Sequence, residues 1–236
     1  MHEDYYGLQL KFAKHYAVRA NVSFASAIAR CTNLRRRLNL LGASGEEAWA
    51  SVLQQANDRP NSLSSVLHRC LQLQTRNSSD SKIPAFGCFS YDSPDDSGIV
   101  RIHFMPPSGQ SASPLSLVNL AKRHDELSAM FGNICRMEPR AKVVRGVSWL
   151  YNVHAYKRLF PDQYVASIEL PPFPVHLNGS STWGQVLDWQ QEVKPEVQGA
   201  LLRNMTHMQA QAPWEVFPLQ ALMAQCGIGA FYERFT

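Results

Sequence analysis

The stretch "VVRGVSWLYNVHAYKRLFP", residues 143–161, changes from a strand-like to a helix-like pattern within a few residues. Its first part is rich in β-branched and aromatic residues and predicts a strand over 141–151. Its second part predicts a two-turn helix over 153–160, and Pro161 follows it. A strand that passes at once into a short basic, aromatic helix is the feature from which we interpret the fold.

The residues before this stretch predict a hairpin followed by a long helix. Segments 85–91 and 99–105 are strand-like, and the turn-rich segment 92–98 lies between them. Segment 115–137 has the apolar spacing of a long amphipathic helix. A further strand is expected over 163–170. Because a strand–helix–strand crossover normally gives a parallel pair, we expect a mixed sheet.

The ends of the chain have a helical pattern. The first 80 residues carry apolar side chains at intervals of three and four, and the polar segment 76–82 marks a change of organisation. We predict an α+β fold with a helical region over 1–80, an α/β core over 81–175 and a helical C-terminal tail over 176–236, packed on the core.

Composition excludes several classes of protein. The chain has 236 residues, of which 45% are hydrophobic, and no apolar run approaches the roughly 20 residues that a membrane-spanning helix needs. The N-terminus is amphipathic and carries two acids, so we expect no signal peptide and a cytoplasmic protein. The five cysteines are widely spaced without a CxxC pair, which argues against disulfides or a zinc site, and we expect most of them to be buried thiols.

The order of elements from residue 85 resembles the core of the GNAT superfamily of acyl-CoA-dependent acyltransferases. The run 100–131 is similar to one in a GNAT-like subgroup with a helical N-terminal part, as are Ser148-Trp149-Leu150-Tyr151 and Leu159-Phe160-Pro161. The likeness covers residues 85–175 at most. It implies that the strands before and after the long helix splay apart and that pantetheine lies in the gap. It also implies that the cofactor pyrophosphate lies on backbone amides where the long helix begins.

The resemblance implies a set of residues that bind acyl-CoA or CoA. They are Ser108, Gly109, Gln110, Ser111 and Ser113 before the long helix and Asn152 after the strand. Ser113 is also expected to cap the long helix, and Asn152 can either donate to the pantetheine amides or cap the short helix. The family typically carries Gln/Arg-x-x-Gly-x-Gly/Ala at the helix start, whereas residues 106–113 offer one glycine and no basic residue.

The resemblance also implies catalytic roles for aromatic and imidazole side chains. Tyr151 or Tyr156 is the candidate acid for a leaving thiolate, although a tyrosine on a strand or amphipathic helix is most often packed with its hydroxyl at the rim. His103 is the candidate base, because imidazole titrates near neutral pH and this residue shares a strand face with Arg101. His103 can equally be a half-exposed strand residue, and His154 is the second choice.

The expected function is acyl transfer from a CoA-type thioester to a small amine or hydroxyl acceptor. A Ser-His-Asp hydrolase is not expected, because Ser148 lies in "GVSWL" and not in Gly-x-Ser-x-Gly. Two alternatives stay open. One is a GNAT-like scaffold that binds a ligand or partner without turnover, and the other is a module that grips RNA or an acidic partner through Arg35, Arg36 and Arg37. A net charge of only +4 and the lack of a nucleic-acid motif argue against RNA.

The basic runs 35–37, 122–124 and 136–145 have two interpretations. They can be solvated faces, as most charged runs are, or a docking surface for phosphates.

Overall fold

A computed structural model of the chain describes residues 2–59, 62–77, 85–107 and 109–236. The α-helices in this part are α1 His2–Ala20, α2 Phe24–Cys31, α3 Leu34–Arg37, α4 Glu46–Asp58, α5 Leu63–Asn77, α6 Leu120–Met137, α7 His154–Lys157, α8 Asp162–Ala166, α9 Ser180–Trp183, α10 Pro195–Asn204 and α11 Gly229–Phe235. The strands are β1 Phe89–Asp92, β2 Ile99–Phe104, β3 Val143–Ser148 and β4 Leu222–Gly227. Short 3-10 turns include Leu117–Asn119 before α6 and Trp149–Asn152 after β3.

The chain forms two compact units. The helical unit contains residues 1–81 and 173–220, and the sheet unit contains residues 82–172 and 221–236. The C-terminal segment, for which the sequence predicts one helical tail, is thus divided between the units. The physical reason is that its last part contains β4, which is hydrogen-bonded to β3.

The helical unit has a core of aromatic and aliphatic side chains around Trp183. The indole is fully buried, packs edge-on against Phe12 and Phe217, and donates from Nε1 to the carbonyl oxygen of Cys31 at 2.9 Å. Burial of a side chain this large, with its one polar atom paired, stabilises the unit without leaving a buried donor unsatisfied.

The sheet unit has one mixed sheet of strand order β1-β2-β3-β4. β1 and β2 form the expected antiparallel hairpin, β2 and β3 are parallel, and β3 and β4 are antiparallel. Helix α6 is the crossover between the parallel strands. Its buried residues Leu127, Met130 and Phe131 belong to the same core as Val100 and Val144 of the sheet. The predicted α+β class, with a mixed sheet and helices at both ends, is confirmed.

Several elements differ from the prediction. The helix expected over 153–160 is the four-residue α7, and residues 149–151, expected to end the strand, form a 3-10 turn because the Ser148 side chain accepts from the Leu150 backbone N–H. The strand expected over 163–170 is wrong, because this segment begins with helix α8 and contributes to the sheet only a bridge at Glu169. Pro161 and Asp162 are helix-start residues, and Tyr164 is fully buried in the helical conformation. The sequence does not predict β4, because "LMAQCG" lacks β-branched residues and becomes a strand only by pairing with β3.

Candidate functional site

The parallel strands β2 and β3 are paired over only part of their length. Their register ends at Arg101 and Arg145, although each strand continues beyond that pair. Residues 102–104 then pair with β1, and residues 146–148 pair with β4. The pairing between the two strands therefore stops at Arg101 and Arg145, and we call the part of the sheet between 102–104 and 146–148 the strand gap.

One face of the sheet, which we call the open face, carries charged pairs. His103 Nε2 lies 3.0 Å from Asp92 Oδ2, and Arg101 Nη2 lies 3.1 Å from Asp95 Oδ2. All four side chains are partly exposed. His103 lies in the part of β2 that borders the strand gap. Because Asp92 contacts Nε2 of its ring, Nδ1 is the nitrogen left to exchange a proton with a substrate.

Two guanidinium groups mark the end of the strand gap where pairing begins. Arg101 and Arg145 are partners in the parallel register, so their side chains leave the same face of the sheet. Arg145 Nε donates to Gln225 Oε1 on β4 at 3.0 Å, which orients this guanidinium along the sheet. The open face therefore presents an imidazole and positive charge beside the gap.

The structure brings Tyr151 and Tyr156 together, but in the core of the sheet unit. Each is 2% exposed, and their ring centroids are 5.5 Å apart. The hydroxyls of Tyr151 and Tyr164 are hydrogen-bonded at 2.6 Å beside Gly146. Burial raises the pKa of Tyr151 and of Tyr156 well above the ordinary value for tyrosine. Both phenols therefore stay protonated at physiological pH, and they lie beneath the sheet rather than on its open face.

The loop before α6 holds most of the residues expected to bind the cofactor. Ser108 lies outside the described residues. Gly109 has φ 77°, in the left-handed region that glycine tolerates, and Ser111 is exposed. The carbonyl oxygen of Ser113 accepts from the Ser116 backbone N–H at 3.0 Å.

The expected helix cap at Ser113 is wrong. The chain first forms the 3-10 turn Leu117–Asn119, and α6 begins at Leu120. The physical reason is that the hydrogen bond from Ser116 holds Ser113 in a turn that precedes the helix.

A buried ion pair near the start of α6 is the main feature that sequence reasoning missed. Arg123 is 1% exposed, and its Nη2 donates to Glu126 Oε1 at 2.6 Å. Its Nη1 contacts Cys88 Sγ, and the Cys88 backbone N–H donates to Glu126 Oε2 at 3.0 Å. Burial raises the pKa of the Cys88 thiol, and the Arg123 guanidinium partly offsets this effect.

Gln110 joins this cluster, because its Nε2 lies 3.9 Å from Cys88 Sγ and donates to the Pro107 carbonyl oxygen at 3.3 Å. The i,i+3 spacing of Arg123 and Glu126 is a sequence signal for the ion pair. No local pattern indicates that the pair is buried, since the run 122–124 has the composition of a solvated face.

The remaining candidates near the short helix α7 are placed at the surface. Asn152 is exposed, and its Nδ2 donates to the Trp149 carbonyl oxygen at 2.8 Å. Val153 occupies the N-cap position of α7, so the expected cap by Asn152 is wrong. His154 is exposed on α7. Ser148 accepts from the Leu150 backbone N–H at 3.1 Å and therefore caps the 3-10 turn.

The triple arginine of the alternative site is engaged in contacts within the helical unit. Arg35 forms an ion pair with Glu46. Arg37 Nη2 donates to Gln191 Oε1 at 2.9 Å, and its guanidinium lies 5.2 Å from the centroid of the Tyr5 ring. Arg36 is the exposed member of the three. The three arginines therefore do not form one continuous basic surface in this conformation.

The described part of the chain contains neither a metal-binding group nor a membrane-spanning helix. Within residues 2–59, 62–77, 85–107 and 109–236, no group of three or more His, Cys, Asp or Glu side chains is arranged to hold a metal ion. In the same residues, no helix is both long and apolar enough to cross a membrane.

Comparison with known proteins gives no family assignment: no protein-family model, no curated protein and no solved structure matches this chain.

Proposed function

We propose that the sheet unit is a GNAT-like domain that transfers an acyl group from a CoA-type thioester to a small amine or hydroxyl acceptor. The observation that carries this proposal is the strand gap, where the pairing of β2 with β3 stops at Arg101 and Arg145. A pantetheine arm is an extended chain with two amides. Such a chain can add to an unpaired strand edge through main-chain hydrogen bonds, as an extended peptide does.

The position of the gap supports the same reading. It lies between the strand that precedes α6 and the strand that follows it, where the resemblance to the GNAT superfamily implies a thioester. The loop with Gly109, Gln110 and Ser111 connects this strand to the start of α6, where backbone N–H groups can meet phosphate oxygens.

His103 is the residue to which we assign proton transfer. Its imidazole accepts a proton from the acceptor as nitrogen or oxygen attacks the thioester carbonyl. The C–S bond then breaks, and the imidazolium returns the proton to the leaving thiolate. Asp92 orients the ring through its contact with Nε2. This assignment does not use Tyr151 or Tyr156, because both hydroxyls are buried.

The test is a thermal-shift titration with acetyl-CoA, longer acyl-CoAs and CoA, followed by a transfer assay with small amines. Ligand at about 100 times its dissociation constant stabilises the folded state by roughly 2.7 kcal/mol, which is a clear rise in melting temperature. No rise at millimolar ligand would contradict the proposal.

Two matched pairs of variants sharpen this test. Val147→Trp puts a bulky ring beside the gap and is expected to abolish the shift. Val143→Trp makes the same change on the same face of β3, within its paired part, and is expected to retain the shift. His103→Gln is expected to retain binding and lower transfer by about 10²–10⁴-fold, whereas His154→Gln leaves both unchanged.

The burial of Tyr151 and Tyr156 favours a second candidate function, in which the same gap binds an acyl-CoA or another ligand without turnover. A thermal shift that Val147→Trp abolishes, with no transfer to any acceptor, would support this candidate over the enzyme.

A further inference from the structure

Helices α4 and α5 of the helical unit face each other with polar stripes and enclose an open groove of about 450 Å³. Gln55 lies on α4, and Arg59 is the C-cap residue that follows this helix. On α5, Ser65, His68 and Arg69 lie on one face by their helical spacing. These polar residues flank the apolar side chains Val52, Ala56, Val66 and Cys70, which are buried in the core of the helical unit.

The groove is basic. Among the eight described residues that line it, two are arginines, one is histidine, and none is acidic. Both Nε and Nη2 of Arg69 donate to Ser51 Oγ, at 3.1 and 2.9 Å, and this fixes the guanidinium in the half-buried wall. Arg59 is exposed at the other wall. Two cations without a carboxylate between them favour a negatively charged occupant.

Hydroxyl and amide groups complete the lining. Ser62 Oγ and Ser64 Oγ lie 3.4 Å apart at one end, and Ser65 Oγ accepts from Gln55 Nε2. Guanidinium and hydroxyl donors in one cleft match the oxygens of a phosphate group, which accept several charge-assisted hydrogen bonds at once. No Phe, Tyr or Trp is among these described lining residues, so nothing here stacks on a flat ring.

We propose that this groove binds a small phosphorylated molecule, with Arg59 and Arg69 as the phosphate-binding residues and His68 as a further donor. The groove is open to solvent, and its volume of about 450 Å³ exceeds what a single phosphate group fills. The rest of the ligand is polar and non-aromatic, because amide and hydroxyl groups line the remaining wall. The site is independent of the acyl-transfer proposal, which concerns only the sheet unit.

The experiment is an isothermal titration of the full chain with inorganic phosphate and with pyrophosphate at constant ionic strength. We expect millimolar or tighter binding of pyrophosphate. Arg59→Gln and Arg69→Gln are each expected to weaken it by at least tenfold. Arg36→Gln removes the same charge from an exposed position of the same unit and is expected to change the affinity by less than twofold. Circular dichroism tests whether each variant is folded. Arg59 is exposed and Arg69 is half-buried, so Arg59→Gln is the variant less expected to disturb folding.

Several outcomes would overturn the proposal. They are the absence of pyrophosphate binding at 10 mM, an equal loss in Arg36→Gln, or unchanged affinity in both groove variants. A short single-stranded RNA that displaces pyrophosphate and binds at least a hundredfold more tightly would also overturn it, because the groove would then belong to a nucleic-acid surface. Val147→Trp in the sheet unit serves as a cross-check. If it abolishes pyrophosphate binding, the ion binds at the strand gap and the groove is not the site.

Discussion

The helical unit and the sheet unit use their polar side chains differently. In the helical unit several polar groups of the core are paired with one another, as with the Tyr5 hydroxyl and the Asn33 side chain, or Gln9 Oε1 and the Asn33 backbone N–H at 2.8 Å. Gln9 Nε2 and Thr182 Oγ1 are buried without a hydrogen-bond partner among the described residues. In the sheet unit, His103 and Arg101 each pair with a carboxylate on a partly exposed face. Buried pairs stabilise a fold, whereas half-exposed pairs are free to rearrange around a ligand.

This difference distinguishes the polar residues that hold each unit together from those that can bind a ligand. Two of the three arginines in the run that suggests RNA binding make contacts within the helical unit: Arg35 with Glu46, and Arg37 with Gln191. The polar residues that we propose to bind ligands lie on the open face of the sheet and in the groove between α4 and α5. The comparison of the two units is therefore tested by changing residues that make structural contacts and, as controls, residues that do not.

The largest effect is expected from Gly146→Ala in the sheet unit. A Cβ atom at Gly146 would overlap the Tyr151 hydroxyl and come within 2.7 Å of the Tyr164 hydroxyl. Because the tyrosine pair is buried and cannot move into solvent, we expect the free energy of unfolding to fall by about 3 kcal/mol, measured by urea denaturation. Gly227→Ala on β4, where no atom lies within 4 Å of an added Cβ, is the control and should change stability by less than about 0.5 kcal/mol. An equal loss in both variants would contradict the tight packing inferred at Gly146.

A smaller effect is expected from Arg37→Gln in the helical unit. This change removes the hydrogen bond to Gln191 and the guanidinium over the Tyr5 ring. We expect a loss of about 1–2 kcal/mol in thermal or urea unfolding. Arg36→Gln, next to it in the chain and exposed, should have an effect within about 0.5 kcal/mol. If the two variants behave alike, the triple arginine is a solvated run, and its role in a binding surface has to be reconsidered.

The smallest effect is expected from Asp95→Ala, and it depends on pH. The pKa of Asp95 lies below its ordinary value of 3.8, chiefly because its carboxylate accepts from the Ile99 backbone N–H. The Ser97 backbone N–H and the Arg101 guanidinium lower this pKa further. Because the pKa is lower in the folded state, this carboxylate stabilises the fold above pH 4 and loses its contribution as the pH falls through the folded value. The melting temperature of Asp95→Ala should therefore lie below that of the parent chain at pH 7 and approach it at pH 2–3. If the difference in melting temperature between the two chains grows toward acid pH, the pKa of Asp95 is not lowered by folding.

Much of the sheet unit is predictable from the chain, because its strands and its long helix have distinct hydrophobic periods. The alternation of Val100, Ile102 and Phe104 with charged residues predicts both the strand β2 and its exposed face. The pairing of His103 with Asp92 is not predictable in the same way. Asp92 is the first residue of a turn-rich segment, and only the register of β1 on β2 brings the two side chains together.

Other features of the candidate site depend on which surfaces meet. Tyr151 and Tyr156 lie near the end of a strand and have the chemistry of general acids, but packing against Gly146, Tyr164 and Phe104 buries them. Arg123 belongs to a run with the composition of a solvated face, yet its pairing with Glu126 places it in the core.

The sequence by itself determined the α+β class, the helical first third, the hairpin and the crossover through α6. The reason is that these features follow from short-range sterics, turn chemistry and hydrophobic periodicity, which neighbouring residues encode. Contacts between distant segments decide that "LMAQCG" is a strand, that residues 162–166 are a helix, and that the pairing of β2 with β3 stops at Arg101. Strand pairing and burial arise between segments far apart in the chain, so the free energy that selects them is absent from any local pattern.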